Sequence, residues 1–259
     1  MDKVKIVIMA GGLPSAVAEE DERIPKPMAE IGGYPILWHI MKQFSEYGYS
    51  DFIICTGYKG NVIKEYFLDY YIFQSDITVD LQSNQVNIHK KQTEDWKVTI
   101  VDTGRDAALV ERIMKVQDVI GNSDFIVTYG DCVSDVNIGD VVKHFYEKKA
   151  LVTEVLAKPL GRYENIFVDE AGNIDTKEDK SASWVNACIS MYDHDIFKFI
   201  SKNNICIRES LEKSLMGYTD IDTYCHNGFW SPMETKRDQV YLERLWNSGK
   251  APWKVWEDK

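Results

Sequence analysis

The chain lacks paired cysteines: Cys55, Cys132, Cys188, Cys206 and Cys225 lie far apart, with no C-x-x-C among them. That spacing argues against a disulfide framework or a zinc site and suits reduced thiols, most of them core fillers. Positive charge is also short, with 30 Lys and Arg against 41 Asp and Glu, a formal net charge of −11. Attraction to nucleic acid or to an anionic membrane needs a positive field, so neither is an expected partner. A phosphorylated ligand must instead meet a local cluster of Lys and Arg, or a metal. Long apolar runs are missing: none approaches the roughly 18 residues of a membrane span, and Met1-Asp2-Lys3 leads into a strand rather than a signal peptide. The cytoplasm is the expected location. Finally, neither G-x-G-x-x-G nor G-x-x-x-x-G-K-[ST] follows the first strand, which argues against a dinucleotide dehydrogenase and a P-loop enzyme.

What is present is organised around Val4 to Met28. Val4 to Met9 is a short β-branched, apolar run that reads as a buried parallel strand. It opens into Ala10-Gly11-Gly12-Leu13 at its carboxyl end, where open α/β sheets bind ligands. The glycines leave backbone amides bare, and Pro25 and Pro27 stiffen the chain around Lys26, holding its ammonium in one place. Glycines with a braced lysine suit a phosphate; a tight turn is the alternative reading of the Gly-Gly pair.

Further along, Ile36 to Phe44 shows helical spacing, with His39 read as structural, and Phe52 to Cys55 is a second strand before a helix over 61–69. Strand, helix, strand, helix implies a parallel sheet. Alternation in Ile77–Leu81 and Val86–Lys90 predicts an antiparallel hairpin inserted into that fold: an oligomer contact, a substrate lid or a plain surface excursion. Trp96 to Val101 returns to the sheet and ends in Asp102-Thr103-Gly104, and a helix over 107–119 carries Arg112. Phe125 to Tyr129 is another buried strand, with Gly130-Asp131 at its mouth. A carboxylate there suits a Mg²⁺ ligand, with helix capping as the alternative for Asp131 and an equal one for Asp135.

The second half reads as a helix over 139–148, a strand over 151–156, a hairpin turning at 169–173 and a strand over 184–191. This mixture suggests an antiparallel addition closing over the first half. Helical pieces follow over 196–216, then a strand near 221–224, an aromatic stretch from Asn227 to Thr235 and an amphipathic helix over 236–248. The whole of 1–259 reads as one α/β domain.

Ala10-Gly11-Gly12-Leu13 and Pro25-Lys26-Pro27-Met28, so spaced, resemble the sugar-phosphate nucleotidyltransferase family. Gly33–Met41, Asp51–Cys55, Gly57–Phe67, Thr128–Asp131, Gly228-Phe229-Trp230 and the Lys250–Lys254 tail are similar to its glucose-1-phosphate cytidylyltransferase branch, from end to end. The resemblance implies that family's Rossmann-like nucleotide-diphospho-sugar transferase fold, a mixed, mostly parallel sheet flanked by helices, here with an antiparallel insertion. It implies CTP and a phosphorylated acceptor as partners, a CDP-linked product with pyrophosphate, Mg²⁺ as cofactor and a homo-oligomer. By position it assigns Ala10, Gly11, Gly12, Leu13, Lys26, Thr103 and Gly104 to the nucleotide, and Asp131 and Glu234 to the metal. Lys177, Glu164, Thr176 and Asn186 fall to the acceptor.

The chain departs from the family where the loop arginine would stand, since Pro14, Ser15 and Ala16 occupy those positions. Arg23 is the nearest substitute cation, with Arg105 and Arg112 behind it. The hydroxyl-reading glutamate is Thr176, and the glycine under the sugar is Glu164, which implies an acceptor other than glucose 1-phosphate, smaller or amine-bearing; a Glu164 turned to solvent, with the hexose still fitting, is the alternative. The alternative class is a catalytically silent homologue that binds a nucleotide or sugar nucleotide as a regulatory subunit; loss of the loop arginine supports it, and retention of Lys26, Asp131, Lys177 and an acid at Glu234 supports the enzyme.

Overall fold

The computed structural model describes residues 4–12, 24–91, 93–159, 167–168, 174–175, 184–203, 215 and 221–257. Its strands are β1 (Lys5–Ala10), β2 (Glu30–Ile31), β3 (Tyr34–Pro35), β4 (Asp51–Thr56), β5 (Ser75–Asp80), β6 (Gln85–Lys91), β7 (Lys97–Asp102) and β8 (Phe125–Tyr129). They continue with β9 (Cys132–Ser134), β10 (Val152–Ala157), β11 (Phe167–Val168), β12 (Ile174–Asp175), β13 (Val185–Tyr192), β14 (Asp222–His226) and β15 (Trp230–Pro232). The helices are α1 (Ile36–Glu46), α2 (Gly60–Phe73), α3 (Leu109–Lys115), α4 (Gln117–Ile120), α5 (Ile138–Lys148), α6 (Ile196–Asn203) and α7 (Lys236–Asn247).

Seven strands form the main sheet in the order β14-β10-β13-β8-β1-β4-β7. All neighbours run parallel except β13, which is antiparallel to both β8 and β10. Because side chains alternate across a strand, β1 feeds two cores. Ile6 and Ile8 pack with α1 and the C-terminal tail, while Val7 and Met9 pack with α3 and α6. A strand apolar on both faces reads as a continuous hydrophobic run, which is why Val4 to Met9 announces a central parallel strand.

The antiparallel addition foreseen over the first half is instead built into the sheet: β13 separates β8 from β10. The hairpin of β5 and β6 is a sheet of its own, with Val79, Leu81 and Val86 exposed. The helix expected over 107–119 is two helices, because Val116, at φ −105° and ψ 7°, leaves the helical region. The 227–235 stretch contributes β15, which pairs with β9 directly after Asp131. Of the four cysteines described, Cys55 is buried in the core, Cys132 and Cys188 are half-buried and pack against it, and Cys225 is exposed.

His39 is structural, as its helix position implied. It lies fully buried on α1, where its Nε2 bonds the carbonyl of Ile31 at 2.8 Å and its Nδ1 accepts from Trp253 Nε1 at 3.4 Å. Those partners suit the neutral ring, and burial pulls its pKa down to about 4. The unfolded chain, with an ordinary histidine, binds a proton at higher pH than the folded one, so stability falls as pH drops through roughly 6.5 towards 4. Urea titrations across that window are expected to show a fall on the order of 3 kcal/mol, and His39→Gln is expected to flatten it; an equal slope in the variant contradicts the assignment.

Candidate active site

The parallel strands deliver their carboxyl ends to one edge of the sheet. There Gly11 follows β1, Tyr58 follows β4, Arg105 follows β7 and Asp131 follows β8, and together with Lys26 they line a cavity of about 620 Å³. Lys26 opens a single 3₁₀ turn, Lys26–Met28, whose Pro27 and Met28 are buried. The prolines on either side fix its φ/ψ and the buried pair anchors it, leaving the ammonium directed at the cavity.

Beneath the glycines lies a buried guanidinium. Arg112 donates from Nε to the Ala107 carbonyl at 3.0 Å and from one terminal nitrogen to Thr56 O at 3.3 Å and Thr103 Oγ1 at 2.7 Å. The other terminal nitrogen donates to Gly11 O at 2.8 Å and Arg105 O at 3.1 Å. All five donors of the fork are thus matched by oxygens from three strand-end loops and the approach to α3. Burial lowers the Arg112 pKa below the ordinary guanidinium value, and the arginine remains charged at any working pH. Gly11 is required by this approach: a Cβ there would sit 2.2 Å from an Arg112 terminal nitrogen, whereas a Cβ on Gly12 would meet nothing within 4 Å. The first glycine admits the arginine, and the second keeps the wall bare for a ligand.

At the opposite pole Lys26 Nζ and Asp131 Oδ2 lie 2.6 Å apart, both side chains largely buried. Asp131 caps no helix; Asn137 caps α5, and Asp135 instead accepts from the Phe229 amide at 2.6 Å and bonds His226 Nε2 at 2.7 Å. These bonds extend the β9–β15 ladder, and Met233 N donates to Asp131 O at 2.8 Å. Glu234 follows next in the chain; its side chain is exposed and outside the cavity lining. The Asp131 carboxylate supplies oxygen ligands of the kind a hard divalent cation accepts. Among the described residues, one group brings three metal-type ligand atoms within 4.8 Å: Asp124, Asp193 and His194. Asp124 precedes β8 at the far edge and is occupied by Tyr146 and His194, so it lies apart from this cavity.

The structure therefore brings Ala10, Gly11, Gly12, Lys26 and Asp131 to one cavity. Thr103 departs from expectation: it is buried, donating to Thr56 O and accepting from Arg112, and supports the floor rather than lining the wall. Gly104 likewise lies outside that lining. Asn186 bonds Glu154 Oε2 at 2.6 Å and accepts from the Cys188 amide, also away from the cavity. Arg112 has no donor left for a phosphate. Leu13, Arg23, Glu164, Thr176 and Lys177 lie outside the described residues. Sequence reasoning missed Tyr58 and Tyr129 as lining residues; their signal was position, each at the end of a parallel strand.

A family model described as nucleotidyl transferase matches residues 5–231. The chain is 40% identical over 260 residues to the glucose-1-phosphate cytidylyltransferase of Salmonella typhi, covering 98% of this chain and 100% of that protein. It is 34% identical over 256 residues to a probable glucose-1-phosphate cytidylyltransferase of Bacillus subtilis, with the same coverage. Among solved structures, the UDP-glucose pyrophosphorylase of Acinetobacter baumannii superposes with a TM-score of 0.67 at 17% identity, over 97% of this chain and 96% of that one. The sheet order and this likeness make the fold that of the nucleotide-diphospho-sugar transferases.

Proposed function

Since the chain belongs to the nucleotidyl transferase family, we propose that it transfers CMP from CTP to a phosphorylated acceptor, giving a CDP-linked product and pyrophosphate. The observation that carries this reading is the Lys26–Asp131 pair, 2.6 Å apart across a cavity walled by bare glycine backbone. An acceptor phosphate oxygen attacks the α-phosphorus in line; the new P–O bond forms as the bond to the bridging oxygen breaks and pyrophosphate leaves with that electron pair. The protein positions and neutralises, and no side-chain nucleophile is needed. Gly11 and Gly12 present backbone to the nucleotide, Lys26 balances the triphosphate, and Lys177 places the acceptor. Asp131 and Glu234 would hold Mg²⁺, which when bound withdraws charge from the phosphate oxygens.

We take 1–259 as a single such domain in the cytoplasm, where the free thiols of the described cysteines are at home. The exposed apolar side chains of the β5–β6 hairpin support a homo-oligomer. Among the described residues no helix is long and apolar enough to cross a membrane.

The acceptor differs from glucose 1-phosphate, because Glu164 and Thr176 replace the small and acidic residues the family uses there. A pyrophosphate-release screen of CTP, UTP, dTTP, ATP and GTP against phosphorylated sugars, polyols and amino-acid-like phosphates tests both points. Turnover with CTP is expected. A kcat/KM of about 10⁴ M⁻¹s⁻¹ or more with glucose 1-phosphate contradicts the acceptor assignment, and silence across the panel with CTP binding intact favours the regulatory homologue.

Arg23 takes the place of the missing loop cation. Its described competitor is Arg105, whose Cζ stands 5.3 Å from the Tyr58 ring at the cavity wall. Arg23→Ala is expected to lower turnover roughly tenfold or more, as the loss of one transition-state contact does, and further than Arg105→Ala, with Ala16→Arg partly restoring the Arg23→Ala enzyme. The reverse ranking assigns the role to Arg105.

A further inference from the structure

At the β7 end of the cavity stands a second arginine, and its donors are uncommitted. The sheet order β8-β1-β4-β7 puts the loop after β7 three strands from Asp131, roughly 14 Å at the spacing of hydrogen-bonded strands. Arg105 and Asp106 belong to that loop, and both line the cavity. Among the described residues the Arg105 guanidinium makes no hydrogen bond or ion pair; what it touches is the Tyr58 ring, whose centroid lies 5.3 Å from Cζ. The Asp106 carboxylate accepts no hydrogen bond among them either. Arg112 beneath is the opposite case, every donor matched within the protein. Those bonds also clamp the loop, since the carbonyls of Arg105 and Ala107 accept from Arg112 at 3.1 and 3.0 Å. The loop after β4 braces it from the side: a Cβ on Gly57 would meet Gly104 O at 2.8 Å and Arg105 Cα at 3.1 Å. The backbone under Arg105 and Asp106 is thus held before a ligand arrives, and the face of Tyr58 steadies the guanidinium above it.

We propose that Arg105 and Asp106 read the base of the nucleotide and select cytosine over uracil. Their role presupposes the CTP-dependent transfer proposed above. With the triphosphate at the Lys26 and Asp131 pole, the base of the same nucleotide reaches the β7 end. A carboxylate there repels a phosphate and favours an amine, so Asp106 sets its neighbour to a base rather than to a second phosphate. Along its pairing edge cytosine presents two adjacent acceptors, O2 and N3, and then the N4 amine. A guanidinium fork donates two parallel N–H groups to such a pair of acceptors, and an aspartate accepts from the cytosine amine. Uracil keeps O2, but its N3–H meets the fork donor against donor, and its O4 meets the carboxylate acceptor against acceptor. Thymine shares both mismatches. A polar group left facing its like in a closed site is the strongest means a pocket has of rejecting a near-isostere.

Calorimetric titration of the full chain with CTP and with UTP reads the base choice without an acceptor and without turnover. The wild-type chain is expected to bind CTP roughly tenfold or more tighter than UTP, the discrimination that one well-made bidentate contact gives. Arg105→Met is expected to abolish most of that preference by weakening CTP far more than UTP. Asp106→Asn, nearly isosteric and able to donate to O4, is expected to narrow it from the other side by strengthening UTP. Both side chains are exposed, so the substitutions leave the fold intact, which thermal unfolding of each variant checks. A wild-type chain that binds the two nucleotides alike, or an unchanged CTP-to-UTP ratio in either variant, overturns the proposal. Equal losses for CTP and UTP in Arg105→Met assign that arginine to phosphate and overturn it as well. Selective CTP binding with no pyrophosphate release from any acceptor refutes the reaction and leaves the base reading standing, whereas a chain that binds no nucleotide refutes both.

Discussion

Replacing Asp131 with Asn is expected to remove roughly two or more orders of magnitude of turnover, because charge that develops on the phosphates loses the carboxylate that holds its counterion. The substitution is nearly isosteric, so volume and strand pairing are preserved. The amide also no longer neutralises Lys26 Nζ, 2.6 Å away in the present pair. Lys26→Ala complements it: the triphosphate loses its fixed cation, and Asp131 loses its partner, so CTP binding weakens alongside turnover. Steady-state pyrophosphate release, with CTP affinity measured by calorimetry, separates the two effects. Wild-type rates in both variants would remove the site from this cavity.

The second large effect concerns stability as well as rate. Arg112→Met keeps most of the aliphatic length but deletes five donors, leaving the carbonyls of Gly11, Thr56, Arg105 and Ala107 without this partner at a buried point. Buried acceptors stripped of a charged donor destabilise a fold on the order of 3 kcal/mol. Arg112→Lys rescues little, since three donors on a point charge do not reproduce the planar fork. Urea unfolding monitored by tryptophan fluorescence is expected to show a lowered midpoint with an unchanged m-value. Because Gly11 is anchored to this guanidinium, the KM for CTP should rise in any variant that still folds. A midpoint equal to wild type would show that the five bonds are replaced by water without penalty.

The residues the resemblance put on the nucleotide and the metal divide by how local their placement is. Ala10, Gly11, Gly12, Lys26 and Asp131 were legible because each lies at a strand end or between prolines, where local sequence dictates exposure to the sheet edge. Thr103 sits at such an end as well, yet it faces the floor, because it meets Arg112 from a helix that follows. No spacing rule announces that meeting.

Local sequence alone carried most strands of the main sheet and the longer helices between them, the parallel character of β1, β4, β7 and β8, and the edge of the sheet where a ligand lies. These follow from two- and 3.6-residue periodicities and from glycine and proline at element ends, all of which act over a few residues. Long-range packing alone settled the place of β13 in the sheet, the commitment of Arg112 to the cavity floor and the approach of Lys26 to Asp131. Each of those depends on which distant segments become neighbours, and that choice is made by burial and pairing summed over the whole sheet rather than by any local pattern.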